Sequence, residues 1–125
     1  MQRITVVGSL NMDLIITAPR MPVMGESLIG TGFMTAPGGK GANQAVAAAR
    51  LGSMVHMVGC VGGDIFGKDL IDNLKRNNVN TQNVNITTEA PTGVAMIVIK
   101  DSDNFIVVDP GANFKLTPEM IDAAE

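Results

Sequence analysis

The chain has 125 residues, of which 46% are hydrophobic and 17% are charged, so one folded domain with a buried core is favoured over a disordered chain or two domains. The 12 acidic and 9 basic residues give a net charge of −3, and the basic residues form no cluster. With no Trp or Tyr on which bases could stack, a nucleic-acid partner is not expected.

Targeting and disulfide signals are also missing from the sequence. The longest apolar runs, residues 45–49 and 94–99, are far shorter than the ~18 residues that span a bilayer, and residues 4–7 are too short for a secretory signal. We therefore expect a cytoplasmic chain with no membrane partner. Cys60 and His56 are the single residues of their types, so neither a disulfide within the chain nor a structural zinc site is expected, and Cys60 is interpreted as an inert buried thiol.

The first predicted element is a short apolar strand over residues 4–7 that stops at Gly8. The polar residues Ser9, Asn11 and Asp13 follow it. Because open α/β sheets hold ligands at the carboxyl ends of their parallel strands, this segment is a candidate binding region.

Two further strands are predicted at residues 14–17 and 28–33, as a hairpin or an excursion from the main sheet. A turn region separates them, marked by Pro19, Pro22 and Gly25.

A helix is predicted over residues 42–51, because alanine is the best helix former and Gly52 suits the position that ends a helix. Its small side chains would let it lie close to a sheet. Residues 55–60 then predict a buried strand. Asp64 is expected to cap a second helix, in which Phe66, Leu70 and Leu74 share one face and which ends at Asn77 and Asn78.

Residues 94–99 and 105–108 predict an antiparallel pair joined by a polar loop. The first of these strands is apolar on both faces, so both faces need cover. Thr117 and Pro118 are typical of a helix start and predict a short third helix before the chain ends at Glu125.

The glycine-rich segment at residues 38–43 matches neither common nucleotide motif. A P-loop requires Ser or Thr directly after its Gly-Lys pair, whereas Gly41 follows Lys40 here, and GxGxxG does not occur after a strand. The segment does enter a predicted helix, whose free N–H groups and positive dipole end bind hydroxyls or anions. The alternative interpretation is a tight turn at Gly38 and Gly39 with Asn43 as a surface residue.

Asn11 and Asp13 are two residues apart, so an extended segment places both side chains on one side. A carboxylate accepts hydrogen bonds from hydroxyls, and a neighbouring amide both donates and accepts, which suits sugar recognition. The alternative is local turn chemistry, in which each side chain bonds its own backbone.

Taken together, these segments resemble the ribokinase-like (PfkB) carbohydrate kinase family over the whole chain. Residues 38–49 read GGKGANQAVAAA and are followed by Gly52 and Gly62, as in the N-terminal signature of that family. Residues 8–13 read GSLNMD and resemble its first sugar-binding strand end. Residues 92–95 read TGVA and resemble its second lid strand.

The resemblance implies an α/β fold with a doubly wound sheet and a small β lid, of which only the N-terminal part is present. Residues 1–125 would form the first part of the kinase domain, with lid strands within about 14–36 and 92–109. It further implies transfer of the γ-phosphoryl group of ATP to D-ribose, giving D-ribose 5-phosphate, with Mg²⁺ and K⁺ as further cofactors. The catalytic base and the nucleotide, Mg²⁺ and K⁺ sites would belong to a C-terminal half, so the chain alone is expected to be inactive and to hold no catalytic or metal-binding residue.

The same resemblance assigns sugar binding to Asn11, Asp13, Gly39, Lys40 and Asn43, and the lid hinge to Gly38 and Gly39. The alternatives are another sugar or nucleoside kinase of the family, such as a fructokinase, or a non-catalytic sugar-binding or dimerisation module.

A homodimer formed through the lid is also expected. An apolar patch would be left exposed on the face that does not cover the sugar, comprising residues 94–99 with Leu14, Ile16 and Ile29.

Overall fold

The computed structural model of the chain describes residues 2–124. Their helices and strands follow in chain order: β1 (Arg3–Val7), β2 (Asn11–Thr17), β3 (Thr31–Gly38), α1 (Lys40–Arg50), β4 (Met54–Gly62), α2 (Ile65–Arg76), β5 (Val79–Thr87), β6 (Gly93–Lys100), β7 (Asp103–Asp109), a 3₁₀ helix (Gly111–Lys115) and α3 (Pro118–Asp122).

A parallel three-stranded sheet in the order β1-β4-β5 forms the body of the molecule. Its central strand β4 is apolar on both faces, as a strand covered on both sides requires. The helices α1 and α2 pack on one face, where their small or apolar side chains join a single buried cluster. The 3₁₀ helix packs against β4, whose Val58 and Cys60 are buried outside that cluster, so it covers part of the other face.

Close backbone approach explains the small residues at the start of α1. A methyl group on Gly41 would lie 2.7 Å from the Cα atom of Gly8, and Ala45 has no exposed surface. The helix therefore touches the chain just after β1, as its alanine-rich composition predicts.

A second sheet has four strands in the order β3-β2-β6-β7. β2 and β6 run parallel, and each edge strand is antiparallel to its neighbour. Asn11 lies opposite Gly38 on one side and opposite Gly93 on the other. We call this end of the sheet its base, because all four strands connect to the rest of the molecule there.

The predicted ends of several strands and helices differ from the structure, as three elements show. β2 begins at Asn11 rather than at residue 14, so Asn11 and Asp13 are strand residues and not a polar segment after β1. β3 covers Thr31–Gly38, which leaves residues 28–30 outside the strand predicted for 28–33. The helix predicted for residues 42–51 covers Lys40–Arg50. Pairing or packing with distant segments extends the start of β2, the end of β3 and the start of α1 beyond their local sequence signals, whereas residues 28–30 lie outside the sheet.

β5 was not predicted at all. Its sequence, VNTQNVNIT, contains three Asn residues and one Gln, and Asn is depleted in strands. Pairing with the buried strand β4 overrides this low propensity.

The predicted caps and turns are confirmed. Gly52 follows α1 with a φ of 97°, in the left-handed region that glycine favours. The Asp64 side chain caps α2, and the Thr117 side chain caps α3 with Pro118 in its first turn. The antiparallel pair of residues 94–99 and 105–108 is also present, as β6 and β7.

No helix within residues 2–124 has the length and apolar character needed to cross a membrane.

Candidate functional site

Asn11 and Asp13 lie on the same face of β2 at the base of the four-stranded sheet. Their neighbours across the sheet are small: Gly38 and Gly93 flank Asn11, and Ala36 and Ala95 flank Asp13. Because alternate strand residues share a face, the two polar side chains stand among residues that leave space above them. The result is a polar recess on an otherwise apolar sheet.

The Asp13 carboxylate lies directly beside Gly38. A Cβ atom at Gly38 would lie 2.7 Å from each carboxylate oxygen, so only glycine leaves room for this side chain. Partial burial raises the pKa of Asp13, and no donor within residues 2–124 forms a hydrogen bond to the carboxylate. The fold therefore leaves an ionisable acceptor with all its hydrogen-bonding capacity available to a ligand.

The Asn11 side chain forms a hydrogen bond with Asn113 of the 3₁₀ helix. The Nδ2 atom of Asn113 donates to Oδ1 of Asn11 at 2.9 Å, and its Oδ1 atom accepts from the N–H of Leu10 at 2.9 Å. Asn113 was not singled out in the sequence. Its partners lie 102 and 103 residues away, so no local pattern could have identified it.

The turn from β3 into α1 lies against this segment. Gly39 has a φ of 98°, and a Cβ atom there would lie 2.6 Å from the Ser9 carbonyl oxygen. The same carbonyl accepts from the N–H of Ala42 at 3.0 Å. No side chain caps α1, so its N-terminus is oriented by backbone contacts with the strand that carries Asn11.

Lys40 and Asn43 are less closely associated with the recess. Lys40 is exposed at the first position of α1. Asn43 is exposed and lines a groove between α1 and α2 that also includes Pro37, which lies on the opposite face of β3 from Gly38. The structure thus brings Asn11, Asp13, Gly38 and Gly39 together. The Asn43 backbone N–H donates to the Gly39 carbonyl at 2.9 Å, but no hydrogen bond within residues 2–124 joins the Asn43 side chain to these residues. The grouping of Asn43 and Lys40 with this recess stays a prediction.

A second polar cluster links the start of β6 to the N-terminus of α2. Asp64 accepts hydrogen bonds from the backbone N–H of Gly67 (2.9 Å) and from both the N–H (2.9 Å) and the hydroxyl (2.6 Å) of Thr92. Burial alone would raise the pKa of Asp64, but these hydrogen bonds together outweigh it and lower the pKa. Thr92 in turn accepts from the N–H of Gly62 at 2.9 Å.

Cys60 and the possible metal ligands were also candidates for a reactive site in the described part of the chain. Cys60 is buried, and burial raises the pKa of its thiol, as expected of an inert core cysteine. Within residues 2–124, no three His, Cys, Asp or Glu side chains are grouped to hold a metal ion.

The recess beside Asn11 and Asp13 offers a free carboxylate, an oriented amide and a helix N-terminus, which together suit a polyhydroxylated ligand.

Comparisons with known proteins agree with this chemistry. The model of the pfkB family of carbohydrate kinases matches residues 1–125. Ribokinase of Bacillus subtilis is 52% identical over 118 residues, which cover 94% of this chain and 40% of that protein.

Solved structures also match most of the chain. Ribokinase of Giardia lamblia superposes with a TM-score of 0.90 at 31% identity, over 99% of this chain and 41% of that one. Arabidopsis thaliana ribokinase complexed with ribose and ATP gives a TM-score of 0.82 at 35% identity, over 90% of this chain and 36% of that one. The chain thus spans about 40% of the length of the relatives that it matches. From its sequence and its mixed α/β fold, the chain belongs to the pfkB family of carbohydrate kinases.

Proposed function

We propose that this chain supplies the sugar-binding part of an ATP-dependent kinase that converts D-ribose to D-ribose 5-phosphate. The observation that carries the proposal is the half-buried Asp13 carboxylate, which has no donor within residues 2–124 and stands beside Asn11 at the N-terminus of α1. The relatives named above support ribose as the substrate, because they are ribokinases and one of their structures contains ribose and ATP.

Each residue of the site has a defined role in this proposal. Asp13 accepts hydrogen bonds from two sugar hydroxyls, and Asn11 contacts a third group of the same sugar. Gly39 contributes its backbone, and Lys40 and Asn43 contribute their side chains. The four-stranded sheet acts as a lid that turns at Gly38 and Gly39, and its closure excludes water that would otherwise compete as the phosphoryl acceptor.

The nucleotide and its cations do not fit the residues of this chain. Residues 2–124 contain no cluster of carboxylates for Mg²⁺ and no established nucleotide motif. In the proposed kinase, ATP, Mg²⁺ and K⁺ are held by polypeptide outside these 125 residues, which also supplies the catalytic base.

A hybrid enzyme tests the proposal. The stretch of Bacillus subtilis ribokinase that matches this chain is replaced by the chain itself, and ADP formation is followed with D-ribose, D-fructose and a nucleoside in turn. We expect ribose to give the highest kcat/KM, with the KM for ribose raised at least about 10-fold by Asp13→Asn while the KM for ATP stays unchanged.

Preference for fructose or a nucleoside would replace ribose with that substrate and favour the rival kinase. Ribose binding by the chain together with a hybrid that folds but lacks turnover would favour a non-catalytic sugar-binding module. A ribose KM unaffected by Asp13→Asn would contradict the assigned site.

We also propose that the lid associates with a second copy of the chain. Leu14 packs against the core cluster, and Ile16 and Val98 lie along the segment that contains Ala18 and Leu28. The expected patch is therefore partly covered by the chain itself, whereas its Ile29 and Met96 side chains are exposed. Further support for a dimer comes from β7, an edge strand whose consecutive residues Ile106, Val107 and Val108 are each at least half exposed.

Light scattering at micromolar concentration tests the dimer. Ile106→Asp should give monomers, because it places a charge in the apolar edge, whereas Leu51→Asp, at an exposed apolar position after α1, should leave the dimer intact. An unmutated chain that is monomeric at this concentration would contradict the proposal.

A further inference from the structure

The Asn113 side chain pairs with the backbone of Leu10 as a neighbouring strand would. Its Oδ1 atom accepts from the Leu10 N–H at 2.9 Å, and its Nδ2 atom donates to the Leu10 carbonyl at 3.1 Å. The Nδ2 atom also faces the Pro110 carbonyl at 2.9 Å, so its two N–H groups are shared among this oxygen, the Leu10 carbonyl and Oδ1 of Asn11. A backbone N–H can only donate and a carbonyl can only accept, so these partners permit one orientation of the Asn113 amide.

That orientation decides how the Asn11 amide must point. The Nδ2 atom of Asn113 is a donor, and the Asn11 atom that faces it at 2.9 Å is therefore the acceptor Oδ1. Turning the Asn11 amide over would place two donors against each other. The two side chains also lie close to Gly93, where a Cβ atom would lie 2.2 Å from Oδ1 of Asn11 and 2.4 Å from Nδ2 of Asn113.

This orientation of the Asn11 amide determines what its Nδ2 atom faces. No group within residues 2–124 accepts a hydrogen bond from its Nδ2 atom, and Asp13 stands on the same strand face with an unpaired carboxylate. We propose that Asn113 is a positioning residue that fixes the Asn11 amide, so that the recess presents a donor from Asn11 beside an acceptor from Asp13.

The matching ligand group is a pair of neighbouring hydroxyls, of which one oxygen accepts from Asn11 while hydroxyl hydrogens are donated to Asp13. This inference rests on the proposed function, because it names how the same sugar site selects its ligand. An amide free to turn would accept or donate with equal ease. A fixed amide discriminates against a sugar that lacks the accepting oxygen, because the Asn11 donor, once covered by that sugar, would remain without a partner.

Nuclear magnetic resonance of the unmutated, ¹⁵N-labelled chain tests the geometry without any variant. The side-chain NH₂ signals of Asn113 should exchange with solvent more slowly than those of the exposed Asn80. On titration with D-ribose, the side-chain NH₂ signals of Asn11 should shift together with the backbone signal of Asp13, while those of Asn113 remain protected.

The outcomes separate the two proposals. If ribose shifts neither Asn11 nor Asp13, the proposed function fails. If ribose shifts Asp13 but not the Asn11 NH₂ group, or if the Asn113 NH₂ group exchanges as fast as that of Asn80, the proposed function stands and the positioning role of Asn113 is wrong.

A double-mutant cycle supplies the energetic test. Asn113→Ala should raise the dissociation constant for D-ribose about 5- to 10-fold, the effect of one misplaced hydrogen bond. In the background of Asn11→Ala it should raise the constant less than about 2-fold, because the residue through which it acts is gone. The matched control is Asn80→Ala, which removes only an acceptor for the Gln82 N–H and should leave ribose affinity unchanged.

A more conservative variant covers the case in which Asn113→Ala fails to fold. Asn113→Ser keeps a hydroxyl that can accept from the Leu10 N–H without setting a charge against the Leu10 and Pro110 carbonyls, but it provides no amide donor for Asn11. The Asn11 amide is then no longer fixed, and ribose affinity should fall by a similar factor. Unchanged ribose affinity in a folded Asn113 variant, or a full additional effect in the Asn11→Ala background, would overturn the inference.

Discussion

At the scale of single residues, Asp13 combines a stability cost with the binding role proposed above. Partial burial raises its pKa, so the folded state disfavours its charged form relative to the unfolded chain. Between the ordinary pKa and the raised one, the folded state binds more protons, and stability therefore falls as the pH rises through that interval.

We expect Asp13→Asn to raise the unfolding midpoint at pH 7, since the buried charge is removed, while ribose affinity decreases. Urea denaturation at pH 7 and pH 3 measures this, and the difference between the variant and the unmutated chain should shrink at pH 3. A variant that is less stable than the unmutated chain at pH 7 would show that the carboxylate is a structural group.

Gly38 is a position where one added methyl group would disturb the candidate site. Because a Cβ atom there would lie 2.7 Å from both Asp13 oxygens, Gly38→Ala should displace the carboxylate and raise the dissociation constant for D-ribose, while stability changes little because the end of the Asp13 side chain can move. Gly63→Ala is the control, since its nearest neighbour would be 3.8 Å away. Thermal unfolding and ribose titration of both variants make the comparison. Equal effects of the two substitutions would contradict the packing explanation.

At the scale of elements, the contact between Asp64 and Thr92 joins the N-terminus of α2 to the start of β6. Asp64→Ala removes the cap and both bonds to Thr92, so it should lower the free energy of unfolding by about 1–3 kcal/mol. The control Asp72→Asn breaks an exposed ion pair with Lys68 and should hardly change stability.

The pH dependence of Asp64 has the opposite sign to that of Asp13. Its pKa is lowered on folding, so its contribution is present above the ordinary pKa of 3.8 and is lost as the pH falls through the lowered value. The difference between the urea midpoints of the unmutated chain and Asp64→Ala should therefore shrink as the pH falls below 4. A constant difference down to pH 2 would contradict this assignment.

The elements also differ in how well the sequence predicts them. α1, α2 and β4 follow from alanine content, helical periodicity and an unbroken apolar run, because each is stabilised by one buried face or by full burial. β5 and the first residues of β2 have polar sequences and exist through pairing with distant strands.

The site divides in the same way. Asn11, Asp13 and the glycine turn are visible as polar or glycine signals at predicted strand and helix ends. Asn113 is not, since the contact that gives it meaning spans about 100 residues.

At the scale of the whole molecule, the chain alone should not phosphorylate a sugar. Residues 2–124 present no cluster of metal ligands, and phosphoryl transfer depends on metal ions and positioned charges around the transferred group. A coupled ADP-release assay with D-ribose and ATP should remain at background for the 125-residue chain, with the hybrid enzyme as the positive control. Ribose-dependent turnover by the chain itself would contradict the proposed division of labour.

If the four-stranded sheet moves as the proposed lid, its attachment along the base means that the far end moves much farther than the base. β2 is seven residues long, or about 20 Å at 3.3 Å per residue, so a rotation of about 10° around Asn11 would move its far end by about 3.5 Å. Asp13, two residues from the pivot, would move by about 1 Å in the same rotation. In such a rotation the polar contacts near Asn11 would change little while the distant end of the sheet opens. A sugar could then enter and leave while the residues of the proposed site keep their positions relative to one another.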